Sequence, residues 1–342
     1  MRAGLAQKLE RTWYGNARPG LLLRTLERIY FAGFRVHQRY QKWRRAADLE
    51  GKPIVVVGNL TAGGTGKTPF VIRLAVLARE AGFAPGVVSR GYGRSGNEPV
   101  SVSADSDPRL CGDEPLLIAR RADCPVRVDP DREQATRFLL ESGVDLVIAD
   151  DGLQRSSLPR RLEICIVDRQ RGAGNGHLLP AGPLREPLSR LEEIEIIVEH
   201  MRSGAGSPDD DGFTMRLEAG RFHRLQGEDS CTAEDLSGTG KTLHAVAGIA
   251  RPERFFETLE KAGLNFERHP FPDHHLFRKH DFASIGAEDI ILLTEKDAVK
   301  CSRLALFNAF YLPVTAKFSD SLEKKLSNTL HGSFSGGKES DS

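Results

Sequence analysis

The sequence predicts an α/β protein: a mostly parallel sheet with flanking helices, a smaller C-terminal α/β lobe, and a basic amphipathic helix at the N-terminus. Three observations lead there. Short unbroken apolar runs alternate with segments of helical period, the pattern of buried parallel strands joined by crossover helices. The chain has 342 residues, more than a single core usually holds. Its charge is uneven: residues 1–50 carry eleven Lys/Arg against four acids, a local net charge of +7 in a chain of formal charge +1.

The elements follow in order. Residues 19–45 read as one long helix, because Leu22, Leu26, Ile29, Gly33, Val36 and Tyr40 recur at steps of three and four. Arg24, Arg28, Arg35, Arg39, Lys42 and Arg44 surround that stripe. Such a helix suits an anionic bilayer surface, or docks on the protein body with its arginines in water. Ile54–Val57 is a buried strand, and residues 67–81 turn helical, with Pro69 in the first turn and Gly82 as the stop. Strands are expected at 85–89, 126–128, 144–149, 164–167 and 194–198, and helices at 113–121 and 131–142. Residues 203–212 are a polar break and 213–242 look irregular. A second α/β run follows: a strand at 243–249, a helix at 252–261, a strand at 290–293, a short helix near 295–304 and a helix at 319–330.

Composition narrows the function classes. A hydrophobic fraction of 39% with 28% charged residues supports a packed body and argues against global disorder. The near-zero net charge offers no general argument for nucleic acid. Five cysteines, odd in number and without a CxxC pair, predict neither a structural zinc site nor a disulfide framework, and a reducing compartment is the simpler expectation. No signal-peptide pattern is read, and no apolar run approaches the roughly 18 residues of a membrane span.

The chemistry concentrates at the ends of the predicted strands. Thr61-Ala62-Gly63-Gly64-Thr65-Gly66-Lys67-Thr68 lies between a strand and a helix, the setting of a P-loop. Small residues let successive amides converge on an anion, and the helix start adds unpaired N–H groups. Lys67 is placed to reach the β and γ phosphates of ATP, and the Thr68 hydroxyl to ligate Mg²⁺. Threonine at 61 departs from the strict pattern, which has glycine there. GTGKT recurs at 238–242, but a strand-like run follows it instead of a helix, so it reads as a connector. The predicted organisation is thus 1–45, the basic helical region; 46–200, the nucleotide-binding core; 201–242, loop and linker; 243–330, the C-terminal lobe; and 331–342, a flexible tail.

Asp150 and Asp151 close a buried strand where a Walker B acid would hold Mg²⁺; the alternative is a strand-end turn closed by Gly152. Asp113 opens a helix, as its N-cap or as a base near the γ-phosphate. His274 and His275 follow a proline turn, where one of them can tune proton removal or both stand in solvent. Arg185 and Glu186 end a Gly/Pro-rich stretch, and Arg90 and Tyr92 follow an earlier strand, positions suited to phosphate and to a base or sugar or to local loop structure.

These motifs together resemble the tetraacyldisaccharide 4′-kinase (lipid A 4′-kinase) family. GNLTAGGTGKTP at 58–69, SRGYG at 89–93, GDEP at 112–115, DDGLQ at 150–154, RGAGNGHLLPAGPLREP at 171–187, FPDHH at 271–275 and TEKDAVK at 294–300 occur in the family's order, and the resemblance covers residues 5–330. It implies transfer of the ATP γ-phosphoryl group to the 4′-hydroxyl of tetraacyldisaccharide 1-phosphate. The product is lipid IVA, made at the cytoplasmic face of the Gram-negative inner membrane. It also implies Asp113 as the base paired with His274, and Asp150, Asp151 and Glu186 with Arg185 around Mg²⁺. Tyr92 is implied near the nucleotide, and a two-stranded linker between the lobes. The family commonly lacks glycine at the position of Thr61. A lipid acceptor shifts the reading of the N-terminal helix to peripheral membrane contact. A monomer is expected. A different class stays open: a P-loop ATPase or GTPase switching a protein partner. Thr294 in TEKD, where a guanine-reading loop has asparagine, counts against the GTPase.

Overall fold

The computed structural model describes residues 2–15, 17–202 and 212–334. The predicted polar loop therefore lies outside the described residues except for Gly212, as does the tail beyond residue 334. Two helices open the chain, α1 (Arg2–Tyr14) and α2 (Leu21–Trp43). Only the second is legible in the sequence, because charges interrupt the apolar residues of the first.

The two sides of α2 differ. Its inner side meets the body through polar groups: Tyr30 Oη donates to the Arg185 carbonyl at 2.8 Å, Gln38 Nε2 donates to the Gln154 carbonyl, and the Glu27 carboxylate accepts from the Leu178 amide. The apolar stripe faces outward. Leu22, Ile29, Val36 and Trp43 are 72%, 64%, 68% and 81% exposed, which overturns the alternative in which that stripe docks on the protein.

The first sheet, nine-stranded among the described residues, begins with β1 (Ile54–Gly58), β2 (Pro85–Ser89), β3 (Val100–Val102), β4 (Val126–Val128), β5 (Leu146–Asp150), β6 (Leu162–Asp168), β7 (Ile196–Met201) and β8 (Thr214–Ala219). Helix α3 (Lys67–Glu80), the short α4 (Pro108–Cys111), α5 (Asp113–Ala122) and α6 (Arg132–Glu141) connect them. Strand β1 sits centrally, parallel to both β5 and β6. Its side chains alternate between two cores: Val55 and Val57 join Phe70, Leu74 and Leu116, whereas Ile54 and Val56 join Ala135, Leu139 and Val147. Burial on both faces explains why these strands read as unbroken apolar runs.

The second sheet contains β9 (Phe222–Arg224), β10 (Ser230–Cys231), β11 (Leu243–Ala247), β12 (Glu267–Pro270), β13 (Ile290–Thr294) and β14 (Ala309–Leu312), in the order β10-β9-β14-β13-β11-β12. Helices α7 (Ala233–Ser237), α8 (Pro252–Lys261) and α9 (Glu295–Cys301) belong to this lobe. The repeated GTGKT joins α7 to β11, so no helix starts at Lys241.

The predicted lobe boundary is corrected at its C-terminal end. Strand β15 (Val314–Phe318) returns to pair antiparallel with β8 at the edge of the first sheet, and α10 (Asp320–Phe334) follows it. Ala316, Phe318, Leu322, Leu326 and Leu330 pack into the core with Phe70 and Val71. The C-terminal lobe thus ends near residue 312, and β8 with β15 forms the two-stranded connection. Ion pairs also tie the lobes: Asp168 at the end of β6 accepts from Arg251 at 2.6 Å and Arg254 at 2.5 Å, and Arg121 pairs with Glu295. Burial alone raises the Asp168 pKa, but the two arginines outweigh it and hold the group near about 2.

Candidate active site

The P-loop forms where expected, between β1 and α3. Asn59 is buried at its start and shapes it: Nδ2 donates to the Thr61 carbonyl at 2.6 Å, and Oδ1 accepts from Lys67 Nζ at 2.8 Å. Thr61 makes an antiparallel bridge with Leu184, and the Ala62 amide donates to the Pro183 carbonyl at 2.7 Å. The loop's outer limb is therefore braced by the 171–187 stretch, in extended backbone that threonine accepts.

Glycine is needed later, at Gly63 (φ 110°) and Gly66 (φ 90°). A Cβ on Gly66 would stand 2.9 Å from Met215 Cε and 3.1 Å from His200 Nδ1. Thr65 is buried, and its carbonyl lies 2.8 Å from His200 Nδ1. Burial, with the nearby Arg254 charge, pushes the His200 pKa down to about 4, so this support stays neutral. Gly66 caps α3 without a side chain, which leaves the first-turn amides near Lys67 and Thr68 to an anion. Gly64 faces the other lobe, its Cβ position 3.6 Å from Ala250 Cβ.

The two acids after β5 have opposite environments. Asp150 is buried, and its Oδ2 accepts from Ser89 Oγ at 3.2 Å. Burial, then the charges of Glu114 and Asp151, raise its pKa to about 6. Its Oδ1 is buried and, among the described residues, has no hydrogen-bond partner. Asp151 adopts a left-handed backbone (φ 51°) and stands 3.3 Å from Lys67 Nζ and 3.0 Å from an Arg185 nitrogen. Burial opposes its ionisation, but Lys67 and Arg185 outweigh burial and hold its pKa near about 2. Glu186 is buried and joins the group through Gln154, whose Nε2 donates to it at 2.7 Å and whose Oε1 lies 3.5 Å from Arg185. Burial raises the Glu186 pKa.

The second half of the site spans the lobes. Gly112 is the N-cap of α5, so Asp113 is its first helical residue and the N-cap alternative falls. Asp113 Oδ1 accepts from the Glu114 amide, and Oδ2 lies 3.1 Å from His274 Nδ1. His274 holds a left-handed backbone (φ 57°) in the turn after Pro272, and its ring is 4.9 Å from that of Tyr92. Burial works against charge on both partners, yet their mutual hydrogen bond prevails: Asp113 is lowered and His274 raised. Lys296, from α9, stands 2.9 Å from Glu114, 3.8 Å from Asp113 and 3.7 Å from Asp273. Burial would lower its pKa, but these carboxylates raise it above the usual lysine value.

The predicted residues thus fall into two groups. Lys67, Asp151, Arg185 and Glu186 form one with the loop residues 61–68; Asp113, His274 and Tyr92 form the other. Asp150 lies within reach of the charges of both Lys67 and Glu114. Arg90 is exposed just after β2. Sequence reasoning missed Asn59, Gln154, His200 and Lys296. Lys296 lies inside TEKD, where the base-reading pattern drew attention to Thr294 instead. Lys296→Met is expected to destabilise the protein by about 1–3 kcal/mol, since it takes a charge partner from the buried Asp113, which keeps His274, while Glu114 and Asp273 stay in reach of water. A thermal melt within 1–2 °C (roughly) of wild type would remove Lys296 as the electrostatic tie.

Known proteins resemble this chain over most of its length. The family model described as tetraacyldisaccharide-1-P 4′-kinase matches residues 20–331. The tetraacyldisaccharide 4′-kinase of Methylobacillus flagellatus is 40% identical over 330 residues, covering 95% of this chain and 96% of the relative. That of Alkalilimnicola ehrlichii is 45% identical over 311 residues, covering 90% and 92%. The crystal structure of LpxK from Aquifex aeolicus in complex with ATP superposes with a TM-score of 0.66 at 28% identity, covering 83% of this chain and 89% of that one. On the match across nearly its whole length, the chain belongs to the tetraacyldisaccharide 4′-kinase family.

Proposed function

We infer that this chain transfers the γ-phosphoryl group of ATP to the 4′-hydroxyl of tetraacyldisaccharide 1-phosphate, giving lipid IVA. The observation that carries the reading is the 3.1 Å contact between Asp113 Oδ2 and His274 Nδ1, with Asp150 under the charges of both Lys67 and Glu114, the neighbour of Asp113. Lys67 supplies a fixed positive charge for the β and γ phosphates, and the α3 amides add to it. Asp113, kept ionised by His274 and Lys296, accepts the proton of the attacking hydroxyl as the new P–O bond forms. His274 holds the carboxylate's second oxygen and sets its basicity. Tyr92, exposed beside His274, lines the approach of nucleotide or sugar. Arg185 orients Asp151, and Arg90 is free to meet phosphate from solvent.

The donor set fits Mg²⁺. Asp150 presents a buried oxygen that has no partner among the described residues, Thr68 offers a hydroxyl at the start of α3, Asp151 follows Asp150 in the chain, and Glu186 joins the group through Gln154. Bound there, Mg²⁺ would supply charge neutralisation of the phosphate oxygens. The experiment is radiolabelled ATP transfer to lipid A disaccharide 1-phosphate in mixed micelles. Label in the lipid is the expected result; phosphate release to water alone would favour a switch ATPase.

The outward stripe of α2 supports peripheral contact with the cytoplasmic face of the inner membrane. Leu22, Leu26, Ile29, Val36, Tyr40 and Trp43 form one exposed apolar line edged by exposed arginines. Among the described residues no helix is long and apolar enough to cross a membrane. The helix's inner side touches Arg185 and Gln154, so a membrane-bound α2 carries the catalytic cleft at the lipid surface. The double variant Ile29→Asp, Val36→Asp is expected to reduce flotation with anionic liposomes at least about tenfold. Unchanged flotation would refute the assignment.

A further inference from the structure

The sequence predicts no zinc site, and among the described residues the cysteines are all unpaired thiols. The C-terminal sheet nevertheless brings two histidines and a glutamate together. Strands β11 and β12 run parallel, with His244 opposite Glu267 and Val246 opposite His269. Glu267 and His269 are two residues apart and so share a face of the edge strand. His244 Nδ1 lies 3.0 Å from His269 Nε2 and 3.4 Å from Glu267 Oε2. One ligand atom from each of the three falls within 4.8 Å of the others.

We propose that His244, Glu267 and His269 form a binding site for a zinc-class divalent cation that clamps β12 to β11. Two observations carry it beyond proximity. Tetrahedral Zn²⁺ with bonds of about 2.0–2.1 Å has ligand atoms about 3.3 Å apart, and both His244 Nδ1 separations lie close to that. The other ring nitrogen of His244 is anchored: Nε2 stands 3.3 Å from Asp289 Oδ2, which also accepts from the Gly286 amide at 3.0 Å. Donation from Nε2 to Asp289 leaves Nδ1 with its lone pair turned toward the other two groups. That carboxylate–histidine support is how metal-binding imidazoles are oriented. Two imidazoles select zinc and its neighbours over Mg²⁺ or Ca²⁺, with water completing the shell. The site also has a place in the architecture. Strand β12 ends at Pro270, the Phe271 amide donates to the Ala247 carbonyl at 2.8 Å, and the turn with His274 follows. A cation there would brace the strand from which the catalytic turn departs.

Equilibrium dialysis of the chelator-treated full-length protein against Zn²⁺, with Mg-ATP present to occupy the cleft, tests this. One zinc per chain is expected for wild type and for His280→Gln, which alters a separate histidine–carboxylate cluster. His269→Gln should abolish that equivalent, and Asp289→Asn should weaken it about 10–100-fold. Cobalt in place of zinc should give a visible absorption band in wild type that His269→Gln lacks. Wild type without stoichiometric zinc, or His269→Gln binding like wild type, would show a plain histidine–histidine hydrogen bond and overturn the proposal.

Discussion

Lys67→Ala is expected to lower turnover by about 10³-fold, the scale lost when a preorganised charge on a reacting phosphate is removed. The protein should still fold, because Lys67 is not the sole partner of the groups around it. Asp151 retains Arg185 at 3.0 Å, and Asn59 retains its bond to the Thr61 carbonyl. Loss of activity without a collapse in melting temperature therefore isolates the electrostatic role. Both partners of Lys67 are acceptors, so the ammonium is held ahead of the phosphate chain by groups that a triphosphate can replace. Steady-state transfer together with a thermal melt measures both quantities. Near-normal turnover would end the assignment.

Asp113→Asn is expected to cut kcat by about 10²–10⁴-fold, the usual contribution of a positioned base, while the KM for ATP barely moves. In the proposed division of roles the P-loop grips the phosphates, and Asp113 acts on the acceptor hydroxyl. If KM alone rose, Asp113 would be a positioning group. His274→Ala should cost less and leave a distinct mark on the pH profile. Burial pushes the Asp113 carboxyl up; the His274 hydrogen bond is the largest effect opposing it, followed by the Lys296 charge. Without His274, burial is less opposed and Asp113 takes up its proton at higher pH. The acid limb of kcat, below the ordinary carboxylate range in wild type, should thus move upward in His274→Ala. A profile of unchanged shape and lower height would show that His274 acts by geometry alone.

Much of the first lobe was legible because its signals are local. The run 54–57, the glycines before Lys67 and the helical period after it lie within about thirty residues, and the structure places β1, the P-loop and α3 there. Strand β12, with the sequence Glu-Arg-His-Pro, has no apolar run because it lies at a sheet edge with mostly exposed side chains. Strand β14 spans only four residues, too few for a period to stand out. Lys296 carried no signal of its own: a lysine in a helix is ordinarily solvated, and only burial among Glu114, Asp113 and Asp273 makes it otherwise. Gln154 and Asn59 escaped for the same reason, as amides whose importance depends on what they join.

The residues themselves determined the strand–loop–helix of the P-loop, the acids at the strand ends and the basic apolar helix, since residue type and period suffice to specify each. Tertiary structure decided which side of α2 meets the body, that β15 and α10 rejoin the first lobe, and that Asp113 meets His274 and Lys296 across the cleft. Those outcomes depend on contacts between segments about a hundred residues apart or more. Such contacts are set by which surfaces exclude water together, and no stretch of sequence carries that information alone.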